Sequence, residues 1–475
     1  ADPNEFEGVV SVDWFVPNPD GDLIVYGINE GGTEQYDLTV LDVEENEEFM
    51  KIPDVGRCNE GAVTWLNNGF YYQKTSAEDQ LDKELRYVEI NGEDELITDD
   101  IHRKKWPMVF VDQETETTLI GIGELGGETE LYLLKDGLKR ILPDLEASVQ
   151  PLLHRGRCYL LTDHETSRWK VLSCPVEGLV DITLDELDTT IPESEKVLMD
   201  VAPADDRLVV HSLQDAASSI SVHSLDGEHL NDIDLPLTGI PRGALKGNSD
   251  EREAYTIIQS FDRPPEVIKI DADFYEWNSI NSVQIPGELP DLKVKRIWVE
   301  STDGKQVPAF VTHRADIDPD HSPTVLYGYG GFRISLTPDF KAVRLPFLES
   351  GGVWVQACLR GGLEFGEDWH KEGMRGNKQQ VFDDYYSVAE HLIKIGITSK
   401  DQLAAWGGSN GGLLVATAIT QRPELFASSI CAVPLTDMLR FHQTLLGSTW
   451  TQEYGSPEDP EDFEWLKDYS PYHNI

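Results

Sequence analysis

The chain has 475 residues, 40% of them hydrophobic and 9% aromatic, which is too long for one compact domain and apolar enough for more than one core. Asp and Glu number 86 against 39 Lys and Arg, a formal net charge of −47 spread along the whole sequence. Such a surface repels nucleic acid and anionic membranes. It also exceeds what solubility requires, and so points to a protein adapted to molar salt, where self-repulsion is screened.

The five cysteines, Cys58, Cys158, Cys174, Cys358 and Cys431, are widely spaced and contain no CxxC pair. That argues against a disulfide framework and against a zinc site. No apolar run reaches 18 residues, so no transmembrane helix is expected. The sequence opens on Ala-Asp-Pro with neither a Met nor an apolar signal segment. A cytoplasmic location is therefore expected, and the missing Met reads as an incomplete N-terminus.

From the N-terminus to about residue 288 the chain repeats one grammar: a short strand, a polar turn, then a second strand closed by Asp-Gly or Asn-Gly. "DLIVYGINEGG" leads into "YDLTVLDVE", and "GFYYQKTS" into "ELRYVEING". "TLIGIGELGGETELYLLKDG", "CYLLTDHETSRWKVLSC", "RLVVHSLQDAASSISVHSLDGE" and "AYTIIQSFDRPPEVIKID" follow the same form. The turns fall near Asp20, Asn68, Glu114, Gly156, Asp205 and Asp250, spaced by 42 to 49 residues. A period in the forties predicts β-propeller blades in preference to a pair of β-sandwiches, and six units are visible.

The grammar changes at "PGELPDLKVKRIWVESTDG", and a second domain is expected over 289–475. "KVKRIWVES", "VPAFVTHR", "PTVLYGYGGF" and "GVWVQACLRGG" read as strands, and "VFDDYYSVAEHLIKIG" as a helix stopped by Gly396. "QLAAWGGSNGG" is a strand meeting a tight turn, "LLVATAITQRPELF" a helix and "ASSICAVPLTD" a buried strand. Buried strands alternating with helices predict a mostly parallel, doubly wound sheet.

Within that sheet Gly407-Gly408-Ser409-Asn410-Gly411 fits G-x-S-x-G, between an apolar strand and a helix. A serine on such a turn is lifted above the sheet, and small neighbours let strand and helix backbones pass close together. The N–H of Asn410 then lies at a helix N-terminus, suited to an oxyanion. A second glycine loop, "LYGYGGF", follows an earlier strand, where Tyr329 can present a phenolic O–H and Phe332 an apolar wall. "GINEGG" and "GIGELGG" lie between β strands, so they do not read as a nucleotide fold. No cofactor and no metal is expected.

Taken together, "VLYGYGGFRISLTPDF", "LRGGLEFGEDWHKEG", "NKQQVFDDYYSVAEHLI", "WGGSNGGLLVAT", "QRPELF" and "STWTQEYGSPEDPEDFEWLKDYSPYHNI" resemble the prolyl oligopeptidases, a serine peptidase family. The resemblance implies a β-propeller, seven-bladed in the family, followed by an α/β-hydrolase domain. It implies Ser409 as nucleophile, with the N–H of Asn410 and the hydroxyl of Tyr329 as the oxyanion hole. Trp450 would stack on the substrate proline ring, with Phe332, Tyr454 and Leu435 lining that pocket. A flat aromatic surface suits a ring that has no N–H to read. Leu435 stands where the family usually has a smaller Val, and Leu363 and Phe365 replace Gly and Tyr of a family motif.

The implied activity is hydrolysis of short peptides after proline by a monomer. A related oligopeptidase or esterase of the same fold is the alternative, as is a propeller-based binding protein that has lost catalysis. In this fold the catalytic Asp and His follow the serine. Asp437 reads as a helix cap, His442 sits in the helix it would cap, and His473 lies just before further family strands. The triad Asp and His are therefore expected beyond Ile475, with the hydrolase domain C-terminally incomplete and this piece inactive alone.

Overall fold

A computed structural model describes residues 10–76, 78–124 and 126–475. The Ala-Asp-Pro opening lies outside the described residues. Residues 1–164 with 172–188 form one compact unit, and 165–171 with 189–475 a second.

Among the described residues up to Ser282 the chain folds into six four-stranded sheets, each running in sequence order. The first is built from Val10–Pro17, Leu23–Glu30, Tyr36–Asp42 and Glu47–Gly56, all antiparallel. The last is built from Lys246–Gly247, Glu253–Ser260, Arg263–Asp271 and Glu276–Ser282. Each of the six turns read from the sequence lies between the first and second strand of its sheet. Arg155 and Gly156 both have positive φ, 49° and 71°, as a two-residue hairpin requires. In Glu253–Ser260 alternate residues Ala254, Thr256, Ile258 and Ser260 are buried, the two-residue period of a strand. The first unit has its own apolar cores, one around Val25, Leu38, Phe70 and Tyr72 and another around Leu119, Val149, Leu160 and Cys174.

Within the second unit a six-stranded sheet follows, in the spatial order Leu292–Glu300, Gln306–Arg314, Val353–Ala357, Thr324–Gly328, Leu403–Gly408, Ser428–Ala432. The first two pairings are antiparallel and the remaining three parallel. The inner parallel strands Val353–Ala357, Thr324–Gly328 and Leu403–Gly408 are nearly continuous in apolar residues, as strands covered on both faces are. Ser428–Ala432, expected to be buried, is instead the edge strand of the sheet and leaves Ser428, Ser429 and Ile430 exposed. Val353, Val355, Leu326, Leu403 and Ala405 are all buried.

The helix Lys378–Lys394 turns Val381, Phe382, Tyr385, Val388, Ala389 and Leu392 inward at spacings of one, three or four. Its stop is the expected one. Gly396 has φ 81°, its N–H donates to Ile393 O at 3.1 Å, and Ile397 N–H donates to Leu392 O at 3.1 Å. The next helix spans Asn410–Gln421, starting three residues earlier than its apolar run, because the serine turn itself opens it. The helix expected after Asp437 is only a short 3-10 turn, Phe441–Gln443.

Glu364, in the loop after Val353–Ala357, is fully buried, and its carboxyl accepts a hydrogen bond from Leu336 N–H at 2.7 Å. Burial pushes it from 4.5 up to about 8, against the backbone hydrogen bonds that pull it down. The folded carboxyl thus keeps its proton where the unfolded one has lost it. Its contribution is complete below pH 4.5 and declines as pH rises toward 8. Glu364→Gln is therefore expected to melt closer to the wild type at pH 5 than at pH 8, where the variant gains. Parallel melting temperatures at both pH values would exclude this role.

Candidate active site

The strand Leu403–Gly408 delivers the chain to Ser409, which has φ 57° and ψ −118°. This backbone is unfavourable for any residue but glycine, and here a serine occupies it. The turn is anchored on both sides: Ser409 N–H donates to Ala432 O at 3.0 Å, and Leu413 N–H to Ser409 O at 3.0 Å. Glycine is required at two neighbours. A Cβ on Gly407 would lie 2.1 Å from Gly411 O, and one on Gly411 would lie 2.6 Å from Gly328 O. The result is an exposed serine side chain above the sheet.

Asn410 is the first residue of its helix, so its N–H has no partner within the helix and sits at the positive end of the dipole. Its side chain is buried and does two further things. The amide Nδ2 donates to Tyr329 O at 2.5 Å, and Oδ1 accepts from the Tyr454 hydroxyl at 2.8 Å. One side chain thus joins the serine turn to the "GYGGF" loop and to the segment that carries Trp450.

The Tyr329 phenol faces Ser409 and is half-buried. Burial pushes it up and the neighbouring Ser409 hydroxyl offsets part of that, leaving a protonated donor at neutral pH. Phe332 meets Tyr454 edge to face with ring centroids 5.5 Å apart. Phe332, Leu435 and Trp450 are half-buried and pack on the core that contains Tyr454. Tyr454 itself is fully buried, held by Asn410 through its hydroxyl. The structure therefore brings Ser409, Asn410, Tyr329, Phe332 and Tyr454 together, while Leu435 and Trp450 pack on the same core.

Three residues that could be confused with triad members are engaged elsewhere. Asp437, expected to cap a helix, instead closes a local turn, accepting from Leu439 N–H at 3.2 Å and from Arg440 Nε at 2.6 Å. His442 stacks edge-on against Phe441 and faces Glu458, Nε2 to Oε1 3.7 Å. His473 Nδ1 is 2.9 Å from Ser470 Oγ.

Sequence reasoning missed a buried charged group beneath the "GYGGF" loop. Lys378 Nζ donates to Gly330 O at 2.7 Å and lies 3.6 Å from Glu453 Oε1. His370 Nε2 lies 2.8 Å from Glu453 Oε2, and Arg333 Nη2 2.7 Å from Glu367 Oε2. These residues are far apart in sequence and surrounded by ordinary surface charge, so the charge pattern alone held no signal.

Among the described residues no group of three or more His, Cys, Asp or Glu is placed to hold a metal ion, and no helix is long and apolar enough to cross a membrane.

Residues 2–280 match the model of the prolyl oligopeptidase N-terminal β-propeller domain, and residues 338–475 that of the prolyl oligopeptidase family. The latter range contains Ser409, Asn410, Leu435, Trp450 and Tyr454, whereas Tyr329 and Phe332 precede it. A prolyl endopeptidase of Elizabethkingia miricola is 29% identical over 497 residues, covering 100% of this chain and 69% of the relative. A prolyl oligopeptidase of Omphalotus olearius is 30% identical over 515 residues, covering 99% of this chain and 68% of the relative. A structure solved in a study of two prolyl endopeptidases superposes with a TM-score of 0.91 at 30% identity, covering 100% of this chain and 72% of that one. Six antiparallel four-stranded sheets, a hydrolase sheet with a serine on its strand-to-helix turn, and these matches lead to one conclusion: the chain belongs to the prolyl oligopeptidase family, a β-propeller followed by an α/β-hydrolase domain.

Proposed function

We propose that the chain carries the propeller, over 1–288, and the nucleophile half of the active site, within 289–475, of a serine endopeptidase cleaving short peptides on the carboxyl side of proline. Ser409 Oγ attacks the carbonyl carbon that follows the proline ring, and its proton passes to a general base. The tetrahedral oxygen accepts hydrogen bonds from Asn410 N–H and Tyr329 O–H. Collapse breaks the C–N bond as the base returns its proton to the leaving amine, and water hydrolyses the resulting ester. Trp450, with Phe332, Tyr454 and Leu435, receives the proline ring. The general base and its carboxylate partner are not assigned to His442 or His473, which face Glu458 and Ser470.

The observation that carries this reading is the double hydrogen bond of Asn410, which fixes nucleophile turn, oxyanion loop and ring pocket in one unit. In the full-length protein, Tyr329→Phe is expected to lower kcat for an N-acyl-glycyl-proline anilide by about 10²–10³-fold. KM should stay close to wild type. An unchanged kcat would remove Tyr329 from the oxyanion hole.

The charge of −47 supports a protein working in molar salt, and we extend the proposal to a monomer in the cytoplasm that binds no nucleic acid and no membrane.

A further inference from the structure

We propose that Lys378 and Glu453 are positioning residues that clamp the Gly330–Phe332 turn from below and thereby hold Tyr329 and Phe332 in register with Ser409. The inference rests on the roles given above to Tyr329 and Ser409.

The turn needs holding. Gly330, Phe332 and Arg333 all have positive φ, at 65°, 58° and 59°. For Phe332 and Arg333 that backbone is costly and persists only where surrounding contacts impose it. The contacts come from two sides. Lys378, 1% exposed, donates from Nζ to Gly330 O at 2.7 Å. Glu453, 4% exposed, lies against the other side of the turn, with its carboxylate facing the Phe332 backbone amide. The turn is therefore held at its first carbonyl by Lys378 and faced at its other end by Glu453. Between them, a Cβ on Gly331 would lie 2.7 Å from Asn410 Nδ2 and 3.0 Å from Glu453 Oε1, so the turn is wedged between the serine turn and the clamp.

The two clamp residues also hold each other. Their Nζ and Oε1 are 3.6 Å apart, and the Lys378 ammonium sits 5.4 Å from the Tyr454 ring centroid. Glu453 is next to Tyr454 in sequence and three residues beyond Trp450, so it ties the ring pocket to the same point. Behind it, His370 bridges toward Glu367, Nδ1 to Oε2 3.7 Å, and Glu367 receives Arg333, the residue after Phe332. The circuit begins and ends on one loop. Burial pushes the Glu453 carboxyl up, but His370 and Lys378 outweigh it and keep it ionised. Burial opposes the His370 imidazolium, and Glu367 and Glu453 outweigh that in turn. A buried ion network gives less stability than well-packed apolar residues of the same volume, whereas it fixes geometry sharply. Neither Lys378 nor Glu453 reaches the reacting atoms, so both act through Tyr329 and Phe332.

The test uses Lys378→Met and Glu453→Gln in the full-length protein, with two ligands. An N-acylated prolinal forms a hemiacetal whose oxygen occupies the oxyanion position, whereas the matching pyrrolidine amide fills the ring pocket and has no carbonyl there. Each variant is expected to lower kcat by ~10-fold or more with KM within about threefold, and to weaken the prolinal ~10-fold more than the pyrrolidine amide. Equal weakening of both ligands, or no change in either, would overturn the clamp. Should Lys378→Met fail to fold, the near-isosteric Glu453→Gln decides through the same pair of ligands. A wild-type enzyme inactive on prolyl substrates would overturn the functional reading and the clamp with it. An active wild type with unaltered variants would overturn the clamp alone.

Discussion

Replacing Ser409 by alanine in the full-length protein is expected to lower kcat/KM for a prolyl peptide by ~10⁴-fold or more, the usual cost of removing a nucleophile from an acyl-transfer site. Binding of a pyrrolidine amide should survive, since Trp450, Leu435 and Phe332 are untouched. The same position offers a second readout that catalysis does not enter. At φ 57° and ψ −118° alanine is as strained as serine, whereas glycine is at ease there. Ser409→Gly should therefore melt above Ser409→Ala, by an amount corresponding to about 1 kcal/mol or more of relieved strain. If both variants melt together, the turn is not strained. If Ser409→Ala retains most of its activity, Ser409 is not the nucleophile.

The largest effect on stability is expected at Asp384. Its carboxylate, 0% exposed, faces Arg360, 1% exposed, in a bidentate pair with Nη2–Oδ1 2.6 Å and Nε–Oδ2 2.9 Å. Ser301 Oγ donates to the same carboxylate at 2.5 Å, and Asp303 takes the other edge of the guanidinium at 2.5 Å. Burial opposes the Arg360 charge, but Asp384 and Asp303 outweigh it. Asp384→Asn leaves that charge facing a neutral amide, with the more exposed Asp303 and Glu372 left to balance it. The expected loss is about 3 kcal/mol, or a fall in melting temperature of roughly 6–12 °C for a domain of this size. Replacing both Arg360 and Asp384 by apolar residues should recover much of that loss, because it removes the uncompensated charge as well. A double variant as unstable as Asp384→Asn would show that the pair contributes through packing instead.

Much of this architecture was legible in the sequence, and the exceptions have physical causes. The hairpin turns announced themselves because Asp, Asn and Gly tolerate the left-handed backbone, as at Asp205 and Gly156. The last strand of most sheets did not. Asp94–Thr98 and His229–Ile233 are edge strands with few buried side chains and no apolar period. Gly396 was a readable stop because a Schellman turn requires what glycine offers. The helix start at Asn410 was readable only through the serine turn, since Asn410, Gly411 and Gly412 precede the first leucine and carry no apolar period. At the site, Ser409, Asn410 and Tyr329 lie in glycine loops that have few other uses. Lys378 and Glu453 look like any others among the chain's 125 Lys, Arg, Asp and Glu, and His370 like any of its 12 histidines. Only tertiary structure shows that they are buried together.

The most direct measurement is mass spectrometry of the full-length protein after reaction with a serine-directed phosphonate. The proposed mechanism predicts a single adduct, mapped to Ser409, whose formation is slowed by a prolyl peptide and lost in Ser409→Ala. An adduct on another residue, or none in a folded protein, would contradict it.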